Sequence, residues 1–320
     1  MVEKNVNDSS VSSGLEFILH VIPPPMRLNW KSPRGLLLTT FLTHLRKDLA
    51  PIGHFFVEFP VLSGSASKFH PKVAPLIEGG KSVITGMSRR KMTFIKSFKT
   101  VQGKRLGLGS LYYDFDGKLD SVEEARKEIL WAKKKKRYAS IRISISEKAA
   151  EEMMDFLAEW IERGSFHHYS GGLKVDCGEG AGCAEFAMYF LCMALGVHAV
   201  NPDWMRRVRI PHTLIGGGLA GLNNQVTLVD LLKHGHRWAH GNEPHHVYSI
   251  PDPELVFDWI KDHRRVKQSD SGSTVEWNTF LIPGEINWAT SSFSRKEFTV
   301  DYTSESLGSI QEQWSRVVEK

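Results

Sequence analysis

Two residues of this 320-residue chain stand in settings that favour covalent chemistry. Cys183 lies in "GAGCAEFAMYFLCMALG", residues 180–196, where three small residues run into a cysteine and an almost wholly apolar stretch follows. The stretch predicts a buried helix that begins at Cys183 and ends at Gly196. Helix starts favour a thiolate over a thiol, and their free N–H groups can hold an oxyanion. Gly180, Ala181 and Gly182 leave room for a substrate backbone to approach. A nucleophilic thiol also needs a base. Of 14 histidines, His54 is singled out by its context, "GHFFVEFP" (53–60), which reads as a strand between a glycine and a proline. On a strand His54, Phe56 and Glu58 share one face, while Phe55, Val57 and Phe59 take the other. A face carrying His and Glu is costly to bury without partners or purpose; the plain alternative is an exposed sheet edge.

A third polar group must hold the imidazole in one tautomer. Glu58 shares the face of His54, but four positions along a strand is about 13 Å, too far for a hydrogen bond. A group on a neighbouring strand fits better, and His70, Tyr112 and Asp114 all qualify, with His70 and Asp114 preferred. The other two cysteines compete with Cys183. Cys177, in "KVDCGEG", reads as a loop thiol or as a disulfide partner for Cys183, and Cys192 reads as core inside the helix.

A metal site is the alternative chemistry. "HGHRWAHGNEPHH" (234–246) carries His234, His236, His240, His245 and His246 with Glu243. Imidazole is a common zinc ligand, but there is no helical H-E-x-x-H pair, and the spacing fits a polar loop with surface histidines. "IGGGLAGLNN" (215–224) lacks both the strand–glycine–helix order and the lysine of a nucleotide site.

The elements that must position these residues follow from pattern. "LEFILHVI" (15–22) has strand content and is stopped by prolines 23–25. "RGLLLTTFLTHLRKDL" (34–49) fits strand or helix, because a short apolar run does not settle the period. "KSVITGMS" (81–88), "GSLYYDFDG" (109–117) and "RYASIRISIS" (137–146) are strand candidates, the last alternating Ala139, Ile141, Ile143 and Ile145 against polar residues. A helix opens at the capping box Ser121–Glu124. Another starts near Ser144 or Ser146, carries Met153, Phe156, Leu157, Trp160 and Ile161 on one stripe, and stops at Gly164. A last helix is expected at "DPELVFDWIKDHRR" (252–265). Residues 1–14 read as a disordered leader.

Composition excludes some classes. At 41% hydrophobic and 24% charged the chain is of ordinary globular type, and three cysteines are too few for a disulfide scaffold. The net charge of +5 gathers in "AKKKKR" (132–137) and "MSRRK" (87–91), which read as solvated faces rather than a nucleic-acid site; the first ends a helix, where cations suit the dipole. The N-terminus has no signal-peptide pattern, and no stretch reaches the length of a membrane span. A cytoplasmic protein is expected, with export by a route lacking a cleaved signal as the exception.

The order of "GHFFVEF", "VITGMS", "YSGGLKVDCGEGAGCAEFA" and "RIPHTLIGG" resembles that of permuted papain-like cysteine hydrolases of the NlpC-type peptidase superfamily, an order shared by lecithin:retinol acyltransferase-like enzymes. The resemblance covers roughly residues 50–216. It implies Cys183 as nucleophile and His54 as base, Phe186 and Ala187 as residues that seat the helix, Leu173 after Tyr169 as part of an extended approach to the thiol, and Pro211 to Leu214 as a substrate-side loop. Gly182 stands where these families usually have Asn, and "DCGEG" lengthens the approach. The implied fold is α+β, an antiparallel sheet packed on a buried cysteine-bearing helix over residues 15–216, with 217–320 as an extension or subdomain on that core. The implied function is a thiol-dependent hydrolase or acyltransferase acting on an amide, peptide or ester bond, with a peptide, peptidoglycan-like or acyl substrate and no cofactor. The alternatives are an inactive binding module on the same fold and a zinc-dependent protein using the 234–246 histidines.

Overall fold

A computed structural model of the chain describes residues 14–45, 52–62, 71, 73–90, 94–195, 200–233, 235–269 and 285–287. Gly196, His70, His234, Lys91 and nearly all of the expected N-terminal leader lie outside these residues. The fold is α+β, with seven α-helices among the described residues and sheets that are antiparallel except at one edge.

The central strand β1 (Glu16–Ile22) is buried along nearly its whole length, as its run of apolar residues requires, and ends where the prolines begin. It pairs antiparallel with β2 (His54–Pro60) on one side and β7 (Ala139–Ser144) on the other. The sheet continues through β4 (Ser82–Thr85) and β3 (Ile77–Glu78), and β11 (Glu285–Asn287) lies parallel to β7 at the far edge. One face carries Phe17, Leu19, Val21, Phe55, Val57, Phe59, Ala139, Ile141 and Ile143. Three helices cover it: α4 (Glu147–Glu162), α5 (Cys183–Leu195) and α7 (Pro253–Ser269). The stripe of Met153, Leu157, Trp160 and Ile161 on α4 and the Phe186, Ala187 and Phe190 face of α5 meet there. The other face, with Ile22, Phe56 and Ile84, packs on Ala125, Ile129 and Ala132 of α3 (Val122–Lys134).

Local signals place the helices. Ser121 accepts from the Glu124 N–H and Glu124 reaches back to the Ser121 N–H, closing the expected capping box of α3. Ser146 caps α4, and Gly164, in the left-handed region, follows its end. The ambiguous 34–49 run resolves as helix α1 (Pro33–Leu45).

Two strand expectations are corrected. Residues 81–88 are not one strand: the chain breaks at Gly86, with β4 in the large sheet and β5 (Met87–Arg89) in a three-stranded sheet with β6 (Phe115–Leu119) and β8 (His168–Tyr169). A Cβ on Gly86 would stand 2.6 Å from the Phe55 carbonyl oxygen, so only glycine lets the chain change sheets there. Within 109–117 the strand begins only at Phe115, because residues 108–111 form a 3-10 turn.

The 216/217 boundary runs through one packed unit. β9 (Met205–Pro211) pairs along its length with β10 (His245–Pro251), and Val208, Ile210, Leu214 and Ile215 cluster with Val226, Leu228, Leu231 and Tyr248. Val256 and Ile260 of α7 sit fully buried in the main core. No helix among the described residues is long and apolar enough to cross a membrane.

Candidate active site

His54 opens β2 at the end of the sheet, immediately after Gly53. Gly53 has φ +86°, and a Cβ there would stand 3.1 Å from the Ile22 carbonyl oxygen and 3.0 Å from Pro253, so the tight approach that sets His54 in place needs glycine. Cys183 is the first residue of α5, which packs on β2. The two side chains are neighbours: the thiol acts on the imidazole closely enough to favour its charged form. Both line one cleft of about 1020 Å³. Cys183 is only 8% exposed, and it lines that cleft. The Phe56 ring stands edge-on to His54 with centroids 4.4 Å apart and limits the imidazole's rotation.

The third member is Asp120. His54 Nε2 lies 3.2 Å from Asp120 Oδ2, and both groups are buried. Asp120 follows β6 and is tied on every side. Its N–H donates to the Gly86 carbonyl at 2.9 Å, and its own carbonyl accepts from Thr85 Oγ1 at 2.9 Å. Its Oδ1 accepts from Ser88 Oγ at 2.7 Å and lies 3.2 Å from Lys118 Nζ. The residues beside the Gly86 break therefore build the socket for the carboxylate that orients the histidine.

Electrostatics follow from these contacts. Burial works against a charged imidazole, but the bond to Asp120 and the neighbouring Cys183 thiol outweigh it and hold His54 well above the ordinary histidine value. Burial likewise opposes an ionised Asp120, and the His54, Ser88 and Lys118 contacts reverse it, keeping the group a carboxylate. Tyr169, at the end of β8, neighbours Cys183; burial and the thiol raise its phenol well above the usual range, so it keeps its proton. Glu185, one turn into α5, accepts from the backbone N–H groups of Gly172 and Gly182, and burial raises its carboxyl to about 7. Its carboxylate fills the space beside Gly182 that a side chain at that position would take.

The expected third residues are placed elsewhere. Asp114 does not reach His54; its carboxylate bonds His168 Nδ1 at 2.6 Å in an exposed pair. His70 lies outside the described residues. Tyr112 packs edge-on against Tyr248 with ring centroids 5.4 Å apart, in the second hydrophobic cluster. Glu58 reaches not His54 but His20 Nε2, at 3.0 Å, and Arg126, at 2.9 Å. His20 Nδ1 in turn lies 2.8 Å from the Tyr138 hydroxyl, and burial lowers the pKa of the ring. The polar face of β2 is thus buried under α3 with partners, not left at an exposed edge.

None of the three cysteines is in a disulfide; Cys177 is exposed and does not bridge to Cys183, and burial pushes the Cys192 thiol up to about 12. Among the described residues no three His, Cys, Asp or Glu side chains come together as a metal-holding group. In the 234–246 stretch Glu243 is engaged by Arg237, His245 Nδ1 donates to the Glu243 carbonyl at 2.6 Å, and His246 stacks on His212. Comparison with protein families, with characterised proteins and with solved structures returned no match for this chain.

Proposed function

We propose that this protein is a thiol-dependent hydrolase or acyltransferase, with Cys183 as nucleophile, His54 as base and Asp120 as the group that orients the imidazole, on a permuted papain-like core. The observation that carries this reading is that Asp120 is bonded to His54, His54 neighbours Cys183, and all three line one cleft. The order of a histidine-bearing strand before a cysteine-bearing helix supports the permuted arrangement.

The chemistry runs as acyl transfer. His54 takes the thiol proton, and the sulfur attacks the carbonyl carbon of an amide, peptide or ester. The C=O electron pair moves to oxygen, where backbone N–H groups at the start of α5 and the Tyr169 hydroxyl stand as donors. The tetrahedral intermediate collapses, the carbon–heteroatom bond breaks, and His54 gives its proton to the leaving amine or alcohol. Water, or a second acceptor in a transferase, is deprotonated by His54 and attacks the thioester, which releases the thiol.

Iodoacetamide labelling of Cys183, read by peptide mass spectrometry at neutral pH, tests this. Cys183 is expected to react at least about tenfold faster than the exposed Cys177, and His54→Ala is expected to remove that excess. Equal rates at the two cysteines in the native protein would refute the reading.

A further inference from the structure

One carboxyl group in the cleft has an oxygen that accepts no hydrogen bond. Glu128 lies on α3 one turn beyond Glu124, and it lines the same cleft as Cys183 and His54. Its Oε1 is buried and accepts no hydrogen bond. A buried carboxyl oxygen without a donor is costly, because it has given up water and gained no bond in return. The surrounding cations are already engaged. Lys118 Nζ sits 2.5 Å from Glu124 and 3.2 Å from Asp120, Arg126 is bound by Glu58 and Glu78, and His54 is held between Asp120 and Cys183. Asp120 and Glu124 add negative charge beside Glu128, while His54 and Lys118 offset part of it. The wall of the cleft next to the base is therefore short of one hydrogen-bond donor, and a cationic donor would suit it best.

We infer that Glu128 is a binding subsite for a primary ammonium group, carried by the substrate close to the carbonyl that Cys183 attacks. The inference rests on the proposed thiol chemistry and deepens it, because it narrows the substrate class to amine-bearing acyl compounds. Glu128 touches the substrate and takes no proton from the reacting atoms.

Two thiol reagents of equal reactivity type and different charge test this on the full chain. Aminoethyl methanethiosulfonate carries an ammonium; methyl methanethiosulfonate carries none. Modification of Cys183 is followed by peptide mass spectrometry, and each rate is divided by that of free glutathione. The corrected ratio of ammonium to methyl reagent is expected to be about tenfold, the size of one charge-assisted bond. Glu128→Gln is expected to bring the ratio to about one, and Glu128→Asp to retain most of it. Glu123→Gln, which removes an exposed carboxylate from the same helix and the same cleft, is expected to leave the ratio as it is. A native ratio near one, a ratio that survives Glu128→Gln, or an equal loss in Glu123→Gln overturns the subsite. Slow reaction of Cys183 with the methyl reagent alone would instead count against the thiol chemistry, and the ratio would still report on Glu128.

Discussion

Asp120 decides how the imidazole behaves. Without its charge, burial dominates the environment of His54 and pulls the ring toward the neutral form. Asp120→Asn is therefore expected to lower the His54 pKa and to slow alkylation of Cys183 by about tenfold to a hundredfold at pH 6, with a smaller loss at pH 8. Imidazole proton shifts followed by NMR across that range, together with the labelling rates, check it; an unchanged titration would remove Asp120 from the relay. The sign for stability runs the same way. A histidine whose folded value is raised adds stability below about pH 6.5 and loses it as pH climbs through the folded value, so the native protein should lose part of the His54–Asp120 contribution on the alkaline side. Cys183 and His54 were legible from residue type and local context, one at the head of an apolar helix and one after a strand-opening glycine. Asp120 was not. It directly precedes the Ser121 cap, where an aspartate reads as a turn residue, and its link to His54 is made only by the tertiary fold. Asp114 looked equivalent because it sits at the other end of the same strand, but strand β8 offers it His168 instead.

Two elements carry consequences of their own. On the α3 side of the sheet, the chain His20, Glu58, Arg126 and Glu78 ties β1, β2 and β3 to one helix. Burial would raise Glu58, but the His20 ring and the Arg126 guanidinium outweigh it and bring it down to about 2. The unfolded carboxyl titrates near 4.5, so this contribution is present above that pH and is lost as pH falls toward about 2. Glu58→Gln is expected to cost on the order of 2 kcal/mol at pH 7 and to flatten the acid limb of urea stability measured from pH 6 to pH 3; a parallel loss at every pH would contradict it. At the junction of the two sheets, Gly86→Ala puts a methyl 3.2 Å from His54 Nε2 and against the Phe55 carbonyl and the Phe56 ring. It should displace the imidazole, and Cys183 labelling should fall at least about tenfold while the far-UV spectrum of the folded protein persists. The period of residues 137–146 makes β7 readable, whereas 81–88 reads as one strand because a single glycine between Thr85 and Met87 gives no hint of a change of sheet.

Across the molecule, helix α7 shares one hydrophobic core with the elements that carry the site. α7 places Val256 and Ile260 fully buried among the residues of β1, β7, α4 and α5, and Asp252, just ahead of it, is held by Arg206 at 2.8 Å. Ile260→Ala is expected to destabilise the whole protein by about 2–4 kcal/mol, seen as a lower urea midpoint with unchanged slope. Tryptophan fluorescence and Cys192 accessibility should report the same transition; separate transitions would show that 253–269 unfolds on its own. The sequence pattern located this helix and read 217–320 as an extension or subdomain packed on the core; the pairing of β10 with β9 is a tertiary contact that no local pattern announces.

The order of the chain along the active site has a consequence during synthesis. β1, β2 and β7, with the residues that frame Asp120, all leave the ribosome before α5 does. The imidazole and its carboxylate can thus dock while the sulfur is still inside the exit tunnel, and the nascent protein carries an idle base rather than an unguarded nucleophile until its fifth helix seats.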